Sequence, residues 1–201
     1  MIGIIDYGMG NLRSVEKAFE VVGYQAFVSE KVEELKEAKA LIIPGVGAFY
    51  DAMKNLRDKG LEDWIQKEVE KGKPILGICL GMQILFCYGH EVEKTKGLGV
   101  IEGDIVKLPE GNKIPHMGWN QLKITRESEL LKGVTEGSYV YFVHSYYAKT
   151  QENWAVKATT DYGMDVPAVV EKGNIFGLQF HPEKSGEVGL QMLKNFGELI
   201  G

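Results

Sequence analysis

The amino-acid sequence predicts an α/β fold: a mostly parallel sheet flanked by helices, with an antiparallel extension. Over residues 1–90, short apolar runs alternate with segments whose apolar residues recur at helical spacing, which is typical of a parallel sheet covered on both faces. After about residue 97, strand-like runs follow one another, which indicates antiparallel pairing. The chain has 201 residues and neither a linker nor an internal repeat, so we expect one domain over 1–201.

The first half of the chain supplies the parallel strands. Apolar runs predict strands at 2–5, 24–28, 41–43 and 74–78. Helices are predicted at 12–22 and 61–69, where apolar residues fall on one face, and a charged surface helix at 30–39. Residues 80–86 are predicted to form a buried helix.

The second half supplies the extension. Strands are predicted at 100–108, 139–143, 154–159, 168–171 and 175–180. Gly173 and Asn174 separate the last two runs and favour a two-residue hairpin turn. Apolar residues on one face predict a final helix over 188–200.

Composition excludes several classes of protein. The net charge is −5 and there is no basic block, which argues against a nucleic-acid partner. No apolar stretch approaches the ~18 residues of a membrane span, and the apolar start meets Asp6 too soon for a signal peptide. If Cys79 and Cys87 share a helix, they lie about 12 Å apart along its axis and cannot bridge. We therefore expect free thiols and a cytoplasmic location.

Neither a metal nor a cofactor is expected. The sequence has no Walker A motif and no Cys or His spacing typical of zinc sites. Residues 8–13 begin like a dinucleotide-binding fingerprint, but Arg13 stands where the third glycine belongs.

The strongest chemical signal is Cys79, which lies between an apolar strand and a helix and is preceded by Gly77 and followed by Gly81. This is the strand–turn–helix context of a nucleophile elbow. The start of a helix favours a thiolate. A buried structural cysteine is the alternative.

A nucleophilic cysteine needs a base, and the base needs an orienting group. Pro182 favours an extended His181, which would let His181 and Glu183 project to the same side. The alternative is a surface histidine beside a solvated carboxylate. The other two candidates in strand-end or loop settings, His116 and His144, are equally compatible with satisfied polar residues.

A glycine-rich turn follows the strand at 41–43. The backbone N–H groups of Gly45, Val46 and Gly47, together with that of Leu80, would form an oxyanion hole. Because glycines flank it, this segment could present either a carbonyl or an N–H to the site. An ordinary strand-to-helix turn is the alternative.

These elements, in this order, resemble the class I (triad) glutamine amidotransferases, whose fold is flavodoxin-like. Within that class, the motifs are most similar to glutaminase subunits of imidazole glycerol phosphate synthase. They are DYGMGNL at 6–12, PGVGAF at 44–49, CLGMQ at 79–83, PHMGWN at 115–120, FVHSY at 142–146 and QFHPEKS at 179–185. The PHMGWN run and Lys184 are the most specific, and Met82 stands where subunits such as that of anthranilate synthase usually have His.

The resemblance implies hydrolysis of glutamine to glutamate and ammonia through a glutamyl thioester on Cys79. It makes His181 the base and Glu183 its orienting partner, with no cofactor. It also implies that the substrate is bound by five residues: Gly47, Gln83, Glu91, Ser145 and Tyr146.

The resemblance further implies a heterodimer with a cyclase subunit built as a (β/α)8 barrel. That partner would use the ammonia to make imidazole glycerol phosphate and aminoimidazole carboxamide ribotide in histidine biosynthesis. The implied docking residues are Asn11, Met117, Trp119, Asn120 and Lys184, with core packing as the alternative for Trp119.

Three other functions stay open at this point. The chain could serve another synthase, such as anthranilate or pyridoxal phosphate synthase, or act as a stand-alone Cys hydrolase. It could also be a binding module without activity, although the intact Cys79, His181 and Glu183 argue against that.

Overall fold

The computed structural model describes residues 1–201 and contains fourteen strands and six α-helices. The strands are β1 Ile2–Ile5, β2 Ala26–Ser29, β3 Ala40–Ile43, β4 Ile75–Ile78, β5 Phe86–Gly89, β6 Thr95–Lys96, β7 Ile101–Lys107, β8 His116–Gln121, β9 Lys123–Ile124, β10 Tyr139–His144, β11 Tyr146–Lys149, β12 Val156–Asp161, β13 Asp165–Lys172 and β14 Ile175–Leu178. The helices are α1 Leu12–Val21, α2 Val32–Leu35, α3 Phe49–Asp58, α4 Leu61–Glu70, α5 Leu80–Gln83 and α6 Gly186–Glu198, with 3-10 turns at Glu129–Leu131 and Pro182–Lys184.

The main sheet has eight strands in the order β2-β1-β3-β4-β14-β13-β12-β9. The first five pair in parallel, and β13, β12 and β9 extend the sheet in antiparallel fashion. The predicted fold class is therefore confirmed. Two smaller sheets, β10-β8 and β11-β7-β5-β6, pack beside it.

Both faces of the main sheet are covered, which is why its central strands are apolar throughout rather than alternating. Ile43 faces the core formed with α3 residues such as Met53, whereas its neighbour Ile42 faces the core that contains Phe19 of α1 and Phe196 of α6. The predicted hairpin is also present: Lys172 pairs with Ile175 around the turn.

The helix predicted over 80–86 ends at Gln83. The carbonyls of Ile84 and Leu85 accept hydrogen bonds from the N–H groups of residues 98, 100 and 101, so the chain leaves the helix and enters β5. Cys87 thus lies on a strand and does not share a helix with Cys79, although both thiols are free. The charged segment at 30–39 forms only the single turn α2. Helix α3 and the strands β6, β8, β9 and β11 were not predicted. None of the helices has the length and apolar character needed to cross a bilayer.

Candidate active site

Cys79 lies in the turn between the end of β4 and the start of α5. Its φ is +55° and its ψ is −109°, and it is the only non-glycine residue of the chain with a positive φ. This conformation is costly for a residue with a side chain and persists only where the surrounding structure enforces it. Such strain is concentrated at functional sites, so the backbone itself marks Cys79.

The turn around Cys79 brings the backbone so close to neighbouring backbone that only glycine fits at positions 77 and 81. A Cβ on Gly81 would overlap the carbonyl oxygen of Ile43, and one on Gly77 would overlap the backbone of Gly81. The two glycines therefore provide the steric room that the sequence predicted.

His181 and Glu183 form a buried pair. His181 Nδ1 lies 2.8 Å from Glu183 Oε1, and the two side chains are only 4% and 2% exposed. His181 is extended, but Glu183 lies in the 3-10 turn that begins at Pro182. The two side chains therefore meet as predicted, through a tight turn rather than through continued strand alternation.

The charge state of His181 is set by its neighbours. Burial lowers its pKa, but the interactions with Cys79 and Glu183 outweigh burial and raise the pKa from 6.5 to about 9. His181 Nε2 is buried and has no hydrogen-bond partner. The Cys79 sulfur lies close enough to His181 to raise the pKa of that ring, and its thiol also donates to the carbonyl of Val143 at 3.8 Å. Nε2 is thus available to carry a proton between Cys79 and the substrate.

A cavity of about 300 Å³ opens beside Cys79. All five residues predicted to bind substrate line it, and so do Val46 and Leu80 of the predicted oxyanion hole; the full lining is Val46, Gly47, Cys79, Leu80, Gln83, Glu91, Pro115, Val143, His144, Ser145 and Tyr146. Sequence reasoning missed Pro115, Val143 and His144. A larger cavity of about 570 Å³ near Lys132 is lined by neither a cysteine nor a histidine, and we assign the chemistry to the smaller one.

Two side chains that line this cavity, Glu91 and Gln83, are held in place by hydrogen bonds to neighbouring segments. Glu91 Oε2 accepts the N–H of Phe49 at 2.8 Å and so caps α3, which leaves its other oxygen free. Gln83 Nε2 donates to the carbonyl of Tyr146 at 3.0 Å and to Oε1 of Gln179 at 3.1 Å. Gln179 is fully buried and was not predicted, although its position two residues before His181 on an extended segment was a usable signal.

The predicted oxyanion hole is not assembled in this conformation. The N–H of Leu80, predicted to be a free donor, donates instead to the carbonyl of Gly45 at 3.3 Å. The preceding carbonyl, that of Pro44, accepts the hydroxyl of buried Tyr7 at 2.6 Å. The segment therefore presents a carbonyl, which is one of the two orientations that the flanking glycines allow.

The predicted docking residues lie on adjoining elements. Asn11 caps α1, which packs on the turn that holds Lys184; that turn packs on β10, which pairs with β8. Met117 and Trp119 of β8 are 62% and 56% exposed, so core packing of Trp119 is wrong. Asn120 faces the other way and bonds to His116.

Comparison with known proteins gives a consistent result. A family model described as class I glutamine amidotransferase matches residues 4–199. A protein of Caldanaerobacter subterraneus subsp. tengcongensis named imidazole glycerol phosphate synthase subunit HisH is 58% identical over all of this chain and 98% of its own. A protein of the same name from a Geobacillus strain is 53% identical over all of this chain and 97% of its own.

Solved structures agree on the fold. One described as a glutamine amidotransferase is 25% identical, with a TM-score of 0.76 over 98% of both chains. PurLQS from Thermotoga maritima, 22% identical, matches with a TM-score of 0.79 over all of this chain and 98% of the other.

Proposed function

The chain belongs to the class I glutamine amidotransferase family, and we propose that Cys79, His181 and Glu183 are its catalytic triad. It is a glutamine amidotransferase, the glutaminase subunit of imidazole glycerol phosphate synthase, as its full-length relatives at 50–58% identity indicate. The observation that carries the triad is the strained Cys79 in a cavity beside a buried histidine whose Nδ1 is held by a carboxylate.

In the first half of the reaction, the proton of the Cys79 thiol passes to His181 Nε2, a transfer that the raised pKa of His181 favours, and the resulting sulfur anion attacks the side-chain amide carbon of glutamine. His181 then protonates the amide nitrogen, the C–N bond breaks, and ammonia leaves a glutamyl thioester. In the second half, His181 takes a proton from water, the water oxygen attacks the thioester, and glutamate and the Cys79 thiol are released. Glu183 stabilises the imidazolium that forms in each half.

The oxyanion of each tetrahedral intermediate needs donors that the present conformation does not offer. Rotation of the Gly45–Val46 peptide would release the N–H of Leu80 and turn the N–H of Val46 toward the site. We assign Gly45, Val46, Gly47 and Leu80 to this hole, as a switch that keeps the free subunit at low activity.

Replacing Gly47 by proline tests the switch. Gly47 has a φ of +115°, whereas proline fixes φ near −65°, so Gly47→Pro should lower partner-stimulated turnover about 100-fold, the cost of a lost oxyanion donor. The measurement is glutamate release with and without the synthase partner. Full stimulated turnover in Gly47→Pro would refute the switch.

As a subunit of a synthase, the chain works with a second subunit. We propose that this partner is a cyclase with a (β/α)8 barrel, that it docks on Asn11, Met117, Trp119 and Lys184, and that it receives the ammonia. Exposed Met117 and Trp119 support this, because large apolar side chains are typical interface anchors. Asn120 faces the opposite side of β8 and supports this surface from behind. The free thiols of Cys79 and Cys87 support a cytoplasmic location.

The test is glutamate release from glutamine by the chain alone and with the cognate cyclase and its nucleotide ligand. We expect low activity alone, strong stimulation by the liganded partner, and none in Cys79→Ala. Activity that survives in Cys79→Ala would refute the triad. Stimulation by anthranilate or pyridoxal phosphate synthase instead would keep the triad and refute the partner.

A further inference from the structure

Two histidines outside the triad form a buried hydrogen-bonded pair beside the pocket. His116 on β8 and His144 on β10 are directly opposite each other in the antiparallel ladder, and His116 Nδ1 lies 3.0 Å from His144 Nε2. His144 Nδ1 lies 2.9 Å from the carbonyl oxygen of Tyr146. On the other side, His116 Nε2 lies 3.2 Å from Asn120 Nδ2. Each ring nitrogen of the pair therefore has a partner.

The partners fix the direction of every hydrogen bond. A carbonyl only accepts, so His144 Nδ1 carries the proton and His144 Nε2 is an acceptor. His116 Nδ1 must then donate to it, and His116 Nε2 accepts from the amide of Asn120. The orientation of that amide is set independently, because its Nδ2 also donates to the carbonyl of Asp161 at 2.9 Å and its Oδ1 accepts the N–H of Gln121 at 2.8 Å.

The pair stays neutral and rigid. Burial lowers the pKa of both His116 and His144 to about 4. The His116 ring is stacked between Phe142 and Tyr162, with centroid distances of 4.6 and 4.0 Å. Each ring is therefore held in one plane and one tautomer, so neither histidine is suited to proton transfer at neutral pH.

The carbonyl at the end of this chain of hydrogen bonds belongs to the substrate pocket. Tyr146 lines the cavity with its neighbour Ser145, and its carbonyl also accepts the Gln83 amide. Gln83 bonds to Gln179, whose Nε2 lies 3.9 Å from the Cys79 sulfur. An unbroken series of contacts thus runs from β8 through the pocket wall to the nucleophile.

We propose that His116 and His144 are positioning residues for glutamine: they orient the Tyr146 carbonyl and thereby hold the Ser145–Tyr146 wall and Gln83 in their binding geometry. Asn120 anchors the pair from the strand whose opposite face exposes Met117 and Trp119. The inference rests on the proposed function, because it takes glutamine as the occupant of this pocket.

The test compares two replacements of His144 in the assembled synthase. His144→Phe keeps the ring but removes both nitrogens, whereas His144→Asn keeps a donor at the Nδ1 position. Losing an orienting hydrogen bond of ordinary strength should raise the KM for glutamine about fivefold to tenfold in His144→Phe, with kcat within about twofold. His144→Asn should recover most of that loss, and His116→Phe, which acts through His144, should show a smaller rise in the same direction.

Thermal melting of each variant accompanies the kinetics, and His116→Phe supplies the same readout if His144→Phe does not fold. If the wild type is active and the folded Phe variants have an unchanged KM for glutamine, this inference is overturned while the proposed function stands. Equal impairment of His144→Phe and His144→Asn would also overturn it, because the donor to Tyr146 would then be irrelevant. A wild-type synthase that releases no glutamate would overturn the proposed function, and this inference with it.

Discussion

Two regions of this molecule use buried histidine in opposite ways. At the reacting corner, which consists of Cys79, His181 and Glu183, burial disfavours the charged form of His181. The interactions with Cys79 and Glu183 outweigh burial and raise the pKa of His181 to about 9. In the pair beside the pocket, burial lowers the pKa of His116 and His144 to about 4. Their polar partners are the Asn120 amide, the Tyr146 carbonyl and each other's rings. The Tyr146 carbonyl favours the charged form of His144, but burial outweighs it.

Burial alone therefore does not assign a role to a histidine. Glu183 and the ionisable sulfur of Cys79 raise the pKa of His181, so that ring can hold a proton. Where every ring nitrogen has a neutral partner, as in His116 and His144, the histidine stays uncharged and serves to position its neighbours. The hydrogen bonds differ in the same way. Every ring nitrogen of His116 and His144 has a partner, whereas Nε2 of His181 has none and is available for proton transfer.

The largest expected effect comes from removing the base of the reacting corner. His181→Gln should lower kcat of the partner-stimulated glutaminase by about 10⁴-fold or more, because no other group stands beside the sulfur to take its proton. Steady-state kinetics in the assembled synthase measure this. His144→Phe is the matched variant of the neutral region, and a comparable loss of kcat there would erase the distinction between the two regions.

A smaller effect is expected from neutralising the carboxylate of the corner. Glu183→Gln keeps the shape but removes the charge that favours the imidazolium, and its amide favours the wrong tautomer of His181; we expect kcat/KM to fall about 10³-fold. Glu187→Gln, in the first turn of the neighbouring helix, is a control that should stay within about twofold. Near-normal activity of Glu183→Gln would leave His181 without its predicted orienting group.

The smallest effect concerns stability against pH. In the unfolded chain His181 titrates near 6.5, so its folded pKa of about 9 stabilises the fold fully below pH 6.5, and this stabilisation is lost as pH rises toward 9. The difference corresponds to about 3 kcal/mol. His116 and His144 have the opposite sign: their contribution is complete above pH 6.5 and is lost as pH falls toward 4.

Urea unfolding at pH 5, 7 and 9 would check both signs. Relative to the wild type, His181→Gln should lose less stability between pH 7 and 9, and His144→Asn should lose less between pH 7 and 5. Parallel stability curves for the wild type and both variants would contradict the pKa assignments of both regions.

Much of the fold was predictable because its signals are local. The four apolar runs of the first half fall where β1, β2, β3 and β4 lie, and Gly173-Asn174 makes the predicted turn. The helix over 80–86 was wrong for a nonlocal reason, since residues 98–101 take the carbonyls that the helix would need. Strand β8 was missed because it has only two large apolar residues, Met117 and Trp119, separated by Gly118, which is a weak strand signal.

The fold class, the cysteine between two glycines and the short spacing that joins His181 to Glu183 can be read from the amino-acid sequence, because each depends on steric and hydrogen-bonding rules over short segments. Which histidines carry charge and which stay neutral depends on how the chain folds, because their surroundings come from distant segments. The same holds for the Leu80 N–H, which is held by the Gly45 carbonyl rather than free. Burial and hydrogen-bond partners from distant segments set these properties, and sequence spacing does not encode them.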